Sequence, residues 1–205
     1  MSKQSSLTPK QKGFKYQIWL MLVIVVGVIA AGFLMVPKTE QQRQKMIERL
    51  GTTNMGQLVS PSADLSSLLA PLVTEGKPKW QIIIVGGDAC DTACMEILHN
   101  TRQIHILLGK YTGRVKRLFL TDNQYLKDLD LDLLSQQHPF LQVSAIDTAE
   151  LDMLLQDSSA QWDMLDTRYL VVTPDHKAVL YYESADDPNG LLDDLKHLLK
   201  YSPDR

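Results

Sequence analysis

The stretch from Ile82 to Cys94 constrains the fold of this chain more than any other. It opens with four consecutive β-branched apolar residues, continues through Gly86 and Gly87, and ends with the only two cysteines. Such a run is too short for a helix and is typical of a strand buried on both faces, which a glycine pair ends. The pattern therefore predicts a buried strand, a glycine turn and a helix, with both thiols at the helix start.

Opposing electrostatic effects are expected on the thiols of Cys90 and Cys94. Unpaired backbone N–H groups and the helix dipole favour a thiolate at a helix N-terminus. Asp88 and Asp91 lie beside the cysteines in the sequence, and their negative charge raises the thiol pKa instead. The sequence leaves the sign of the net shift open.

A cysteine pair four residues apart is either a passive disulfide or a working site. A disulfide across so short a gap removes little loop entropy and stabilises little, so the position at a strand-to-helix turn favours redox cycling or metal capture. Because Cys94 shares a helical face with Leu98 and Leu108, we expect it to be alkylated more slowly than Cys90 in the reduced, folded domain.

An uncharged segment of nineteen residues, 18–36, predicts a single membrane crossing. As a helix it would span about 28 Å, which matches the hydrocarbon core of a bilayer. It is longer than the apolar region of a secretory signal and ends without a small-x-small cleavage site, so we interpret it as an uncleaved anchor. Residues 1–17 carry four lysines and no acidic residue, which predicts a cytoplasmic N-terminus.

The rest of the chain is then expected outside the cytoplasm, in the periplasm of a bacterium whose inner membrane holds the anchor. With a formal net charge of −3 overall and +4 on the tail, residues 18–205 carry −7, which argues against a nucleic-acid partner. We divide the chain into a cytoplasmic tail (1–17), a transmembrane helix (18–36), a stalk and lead-in loop (37–78) and one domain (79–205). Within the lead-in, residues 51–61 are read as a loop and 63–71 as a short helix or edge strand.

Strands and helices alternate along the predicted domain. Strands are expected at 81–85, 114–120 and 140–146, helices at 91–109, 123–134 and 149–156, a hairpin at 169–173 and 178–182, and a last helix at 189–200. Alternation of this kind predicts an α/β fold with a parallel core. With two cysteines at the first helix start, the order is typical of a thioredoxin-like domain.

The chain resembles two related groups of proteins. The Cys-x-x-x-Cys motif behind an N-terminal anchor is similar to the SCO/SenC copper chaperones of cytochrome c oxidase. The sequences of residues 51–61, Lys79-Trp80, Cys90/Cys94 and 102–110 more closely resemble a bacterial family of small transmembrane proteins associated with cytochrome oxidase biogenesis. This similarity is good over about residues 15–125 and weak beyond them.

The resemblance implies Cu(I) as a possible cofactor, with Cys90 and Cys94 as thiolate ligands. A distal histidine completes the site in the copper family, but Met164 stands near that place here, and its thioether is the candidate third ligand. The prolines that follow each cysteine in that family are replaced by Asp91 and Met95.

Several other residues receive simpler interpretations. His99 and His105 lie too far round or along the predicted helix to join the thiols at a metal. We interpret His138, His176 and His197 as surface residues, Trp162, Tyr181 and Tyr182 as core residues, and Arg114, Lys116 and Arg117 as a solvated basic edge.

Three functions remain open from the sequence. The favoured one is an accessory protein of cytochrome c oxidase biogenesis that meets oxidase subunits or other assembly factors and handles copper, or the thiols of its copper site, through Cys90 and Cys94. The second is a general thiol-disulfide oxidoreductase, in which one cysteine attacks a partner disulfide and the other resolves the mixed disulfide. The third is an assembly scaffold whose disulfide is passive.

Overall fold

The computed structural model describes residues 9–35, 53–72, 76–86, 90–161 and 166–202. The chain divides into two units, Met1–Thr53 and Asn54–Arg205. The first unit contains helix α1, Pro9–Met35. Its segment Tyr16–Phe33 has a mean hydropathy of 2.2 and is long and apolar enough to cross a membrane. The stalk expected at 38–50 lies outside the described residues.

A six-stranded sheet in the order β1-β6-β5-β2-β3-β4 forms the second unit. Its strands are β1 Gln57–Asp64, β2 Trp80–Val85, β3 Val115–Asp122, β4 Leu141–Ile146, β5 Arg168–Val172 and β6 Lys177–Tyr182. Strands β2, β3 and β4 are parallel, whereas β5, β6 and β1 are joined to them by antiparallel pairing. The sheet confirms the α/β class and the thioredoxin-like layout expected from the sequence.

Helices cover both sides of the sheet. They are α2 Ser66–Leu69, α3 Thr92–Leu107, α4 Asn123–Asp128, α5 Leu131–Gln137, α6 Thr148–Leu155 and α7 Pro188–Tyr201, with 3₁₀ turns at Ala70–Leu72 and Gly109–Arg114. Helix α3 ends at Leu107. Gly109, two residues later, has a φ of +56°, a left-handed conformation that glycine adopts without strain. The glycine therefore ends this helix as the sequence predicted.

Alternation along the strands separates two core clusters. Ile83, Val85, Leu118 and Leu170 point toward α2 and α6, and we call this side the hydrocarbon face. Ile82, Ile84, Phe119, Tyr169 and Tyr182 point toward α3 and α7, and we call this side the mixed face because buried polar residues accompany them. Every residue of β2 is buried, as a strand covered on both sides requires.

The main error in the predicted organisation concerns the first strand. Residues 51–61 were expected to form a loop, but β1 begins at Gln57 and pairs antiparallel with β6 along Gln57–Asp64. Only Val59 and Ala63 of this strand are buried, so its apolar pattern is sparse, and Pro61 is a residue that usually marks a turn. The predicted helix at 123–134 is also divided into α4 and α5.

Candidate functional site

The two cysteines lie where β2 gives way to α3, as the sequence predicted. Cys90 and Cys94 are joined by a disulfide of 2.00 Å, with their Cα atoms 5.1 Å apart. Cys94 is buried at 0% exposure in the core of the mixed face, whereas Cys90 is half-buried and packs against that core. The expectation that Cys94 is the better shielded cysteine agrees with this burial.

Local sequence explains how the pair is held. Asp91 is the N-cap of α3, and its carboxylate accepts a hydrogen bond from the Cys94 backbone N–H at 3.0 Å. At the end of β2, a Cβ on Gly86 would lie 2.9 Å from the ring of Phe119, so only glycine fits without a shift of that ring. The Gly86 N–H also donates to the carbonyl of Leu120 at 2.9 Å, which keeps the chain in the sheet as far as Gly86.

Asp91 also bears on the electrostatics of the two cysteines in the reduced state. The N-terminus of α3 favours negative charge on sulfur, but the Asp91 carboxylate already accepts a hydrogen bond from one of its N–H groups. In the reduced protein, the helix terminus would favour the thiolates, and a negative charge on Asp91 would oppose them.

A buried tyrosine pair lies in the same core as Cys94. The rings of Tyr169 and Tyr182 stack with centroids 5.0 Å apart and planes within 1° of parallel. Burial raises the pKa of both phenols far above the ordinary value, and for Tyr182 the hydrogen bond to Asp194 adds to that effect. Both rings are therefore neutral and serve packing, which confirms the core interpretation of Tyr182.

Asp194 of α7 is a buried carboxylate that sequence reasoning missed. It accepts hydrogen bonds from the Tyr182 hydroxyl at 2.6 Å, from the Gly56 N–H at 2.9 Å and from the Met55 N–H at 3.0 Å. A side chain on Gly56 would overlap the Tyr182 ring, so glycine is required there. The carboxylate thus fixes the entry to β1 against the last helix, with a structural role.

The predicted copper ligands are Cys90, Cys94 and Met164. The described residues contain no cluster of three or more His, Cys, Asp or Glu residues arranged to hold a metal ion. Met164, the predicted third ligand, and Trp162 both lie outside the part of the chain that the structure describes. His99 is exposed, and His105 is committed elsewhere, since its Nε2 lies 3.1 Å from the carbonyl oxygen of Val115.

Two surface interpretations are wrong. Arg117 was assigned to a solvated basic edge but is 0% exposed, and its Nη2 donates to the Leu98 carbonyl at 2.7 Å and to the Thr101 hydroxyl at 2.9 Å. His138 was assigned to the surface but is 4% exposed. Arg117 shares its side of β3 with Val115 and Phe119, and this alternation is a signal that could have found it.

Of the remaining surface interpretations, that of His197 agrees with the structure, whereas His176, Arg114 and Lys116 are each half-buried. His197 is exposed and His176 is half-buried in the hairpin turn between β5 and β6. Arg114 is half-buried and donates to the carbonyls of Leu199 and Ser202, so it supports the end of α7.

Comparison with known proteins identifies one family. The family described as "Transmembrane-like, thioredoxin-like, C-terminal domain" matches residues 80–202, which contain the cysteine pair and all of the sheet except β1. No protein of curated function matches the sequence significantly.

Solved structures with a similar fold include copper-bound ScoI proteins and a disulfide isomerase. ScoI of Arabidopsis thaliana is 15% identical, with 72% of this chain and 99% of that chain covered and a TM-score of 0.44. ScoI of Bradyrhizobium japonicum is 18% identical over 69% and 98% of the two chains, with a TM-score of 0.44. A secreted thiol-disulfide isomerase from Corynebacterium glutamicum is 13% identical over 60% and 72%, with a TM-score of 0.46. These likenesses are too distant to assign an activity to this chain.

Proposed function

Because this chain belongs to the transmembrane-like, thioredoxin-like family, we propose that it is a membrane-anchored accessory protein of cytochrome c oxidase biogenesis that acts through Cys90 and Cys94. The observation that carries the proposal is a disulfide with one half-buried and one buried sulfur at a helix N-terminus. Its task is to handle the thiols of the oxidase copper site, or the copper that they receive. The link to the oxidase rests on the sequence resemblance alone.

Thiol-disulfide exchange follows from the unequal burial of the two sulfurs. In the reduced protein the Cys90 thiolate attacks a disulfide of the partner, the partner's S–S bond breaks, and a mixed disulfide forms while the leaving thiolate takes up a proton. The Cys94 thiolate then attacks the Cys90 sulfur, which restores the Cys90–Cys94 disulfide and releases the second partner thiol. Two electrons pass from the pair to the partner, and the reverse sequence oxidises a partner dithiol.

Copper transfer is the second candidate, with Cu(I) as cargo. The reduced pair offers two thiolates, the soft donors that Cu(I) prefers, on residues whose Cα atoms are 5.1 Å apart. Met164 would be the third donor under this proposal. Oxidation to the disulfide removes both thiolates, so cargo would be held only in the reduced state.

The proposed location follows from charge and hydropathy. Helix α1 would cross the bacterial inner membrane, with the four lysines of residues 1–17 in the cytoplasm and the thioredoxin-like domain in the periplasm. Protease treatment of spheroplasts tests this arrangement: digestion of the domain in intact spheroplasts supports it, and full protection contradicts it.

The decisive experiment measures the reduction potential of the full-length protein in a non-ionic detergent. The protein is equilibrated with glutathione buffers, and free thiols are counted by alkylation and mass. A potential between about −270 and −120 mV supports exchange, whereas a value below about −300 mV indicates a structural disulfide and overturns it.

Trapping distinguishes the roles of the two cysteines. The Cys94→Ser variant should accumulate a mixed disulfide through Cys90, and the Cys90→Ser variant should not, because the remaining sulfur is buried. Equal trapping by both variants contradicts these roles. Stoichiometric Cu(I) binding that is lost in either variant supports the cargo role, and restored oxidase assembly by the double serine variant would leave only the scaffold.

A further inference from the structure

Three basic side chains from three elements meet beside α3. Arg102 lies on α3 itself, Arg117 on β3, and His138 directly after α5. Arg117 is 0% exposed, His138 is 4% exposed and Arg102 is half-buried, so the cluster extends from the interior to the surface. Burial of a guanidinium is costly unless its charge is matched and its donors are used.

Most of the buried nitrogens in this cluster are unpartnered. Within the described ranges, Nε of Arg102, Nε and Nη1 of Arg117 and Nδ1 of His138 have no hydrogen-bond partner. Arg117 uses only its Nη2, toward Leu98 and Thr101. Buried donors are nearly always satisfied in folded proteins, so the three guanidinium nitrogens of this cluster call for an acceptor, and Nδ1 of His138 is a fourth donor in one tautomer of the ring.

The charges in the cluster are all of one sign. Burial, followed by the positive charge of the neighbouring Arg102, lowers the pKa of Arg117 to about 10. Burial also lowers the pKa of His138, followed by the charges of Arg117, Arg102 and His99. The charges acting on these two described side chains are thus all positive.

An open groove lies over two members of the cluster, Arg102 and His138. Arg102 and His138 line it together with His99, Met95, Gln136 and Gln137, and its volume is about 330 Å³. Its walls offer a guanidinium, two imidazoles and two side-chain amides, which donate hydrogen bonds.

We propose that this groove is an oxyanion-binding site, which takes a carboxylate or phosphate group between Arg102 and His138 with Arg117 as the buried positive charge. Arginine is the residue best suited to both groups, because its planar N–H donors match their oxygen atoms. The group comes either from a free anion or from an acidic side chain of a polypeptide. Met95, which also lines the groove, directly follows Cys94 in helix α3. The site does not depend on the redox or copper role.

Calorimetric titration of the full-length protein in non-ionic detergent with inorganic phosphate tests the site, at ionic strength held constant with chloride. We expect saturable binding that Arg102→Gln and His138→Gln each weaken at least tenfold. Lys196→Gln removes one exposed charge from α7 and should change the affinity less than twofold. Binding that is unsaturable, or that falls equally in all three variants, overturns the proposal.

A second measurement uses only the wild-type protein, so its result does not depend on whether the variants fold. In the wild-type protein, the imidazole resonances of the five histidines are followed by NMR over pH with and without phosphate. A bound anion should raise the pKa of His138 and leave the exposed His197 unchanged. Equal shifts of both histidines, or no shift of His138, contradict the site.

An acidic peptide distinguishes the two possible sources of the bound oxyanion, a free anion and an acidic side chain of a polypeptide. Acetyl-Gly-Glu-Glu-Gly-amide is compared with its glutamine counterpart and with phosphate. Glutamate-dependent binding at least tenfold tighter than phosphate identifies a polypeptide carboxylate, and phosphate binding alone identifies a free anion. Binding of neither ligand overturns the proposal.

Discussion

The two faces of the sheet share the same strands but bury different chemistry. On the hydrocarbon face, the core is mainly aliphatic, with side chains such as Ile83, Leu118 and Leu170; Tyr181 also belongs to it, and Gln81 is a buried polar exception. On the mixed face, the same strands and their helices bury Arg117, Asp194 and Cys94 together with Thr101 and His105. The stability of the mixed face therefore depends on the specific partners of these five polar or reactive groups, whereas the stability of the hydrocarbon face depends on how well side chains fill its core volume.

The difference indicates how the fold divides its tasks. An aliphatic core tolerates rearrangement as long as its volume is filled, because dispersion and apolar burial have little directional preference. A buried carboxylate or guanidinium loses far more when one partner is removed. We therefore expect substitutions on the mixed face to cost more and to affect the cysteine site.

The largest effect should come from Asp194→Ala. The substitution leaves the Tyr182 hydroxyl and the N–H groups of Met55 and Gly56 without their acceptor, so the free energy of unfolding should fall by about 3 kcal/mol. Urea unfolding measures this loss of unfolding free energy. Asp193→Ala, at an exposed position of the same helix, should change it by less than about 0.5 kcal/mol. Similar losses in both variants would remove the contrast between the faces.

Asp91 should show a smaller effect in which the helix cap and the charge can be separated. Asp91→Ala removes the acceptor of the Cys94 N–H and should cost about 1 kcal/mol in urea unfolding. Asp91→Asn keeps a good cap and removes the charge, so stability should be retained while the reduced thiols are alkylated faster at neutral pH. Unchanged alkylation in Asp91→Asn would show that the carboxylate does not act on the thiols.

On the hydrocarbon face, Leu118→Met should cost less than about 1.5 kcal/mol. Leu118 is 0% exposed, but methionine nearly conserves its volume and adapts its shape to neighbouring side chains. Urea unfolding again measures the change, and the alkylation rates of Cys90 and Cys94 should remain the same. A loss as large as that of Asp194→Ala would refute the idea that this face depends on volume alone.

The smallest expected effect is the contribution of His105 to the pH dependence of the unfolding free energy. Burial is the main cause that lowers the pKa of His105 below its ordinary 6.5. The unfolded chain therefore binds a proton at this residue before the folded protein does, so stability is fully present above pH 6.5 and is lost as pH falls below it. His105→Gln should reduce the fall in unfolding free energy between pH 7 and 5. The same substitution at the exposed His197 is the control, and equal slopes in the two variants contradict the assignment.

The fold was largely predictable because its signals are local. Strand β2 is a β-branched run, Gly109 ends α3, and apolar residues mark the hairpin of β5 and β6. Strand β1 was missed because only two of its eight residues are buried. Its pairing with β6 is a contact over more than a hundred residues, which no local pattern encodes.

The cysteine pair was predictable from its sequence position, but its surroundings were not. Asp194 is a carboxylate on a leucine-rich helix, and its burial is explained by partners on other elements, the Tyr182 hydroxyl and the N–H groups of Met55 and Gly56. His138 precedes a proline in a short connection, a context typical of solvent exposure. Arg117 was misread because charge was given more weight than strand alternation.

During synthesis, Asp194 emerges long after the backbone groups to which it is hydrogen-bonded. Met55 and Gly56 are synthesised 139 and 138 residues before the carboxylate that holds them, and β1 must also wait for β6. During synthesis, β1 therefore has no partner strand until β6 has emerged. A chain that stops before α7 would keep its cysteines but leave the entry to its first strand unsecured, a ready substrate for proteolysis.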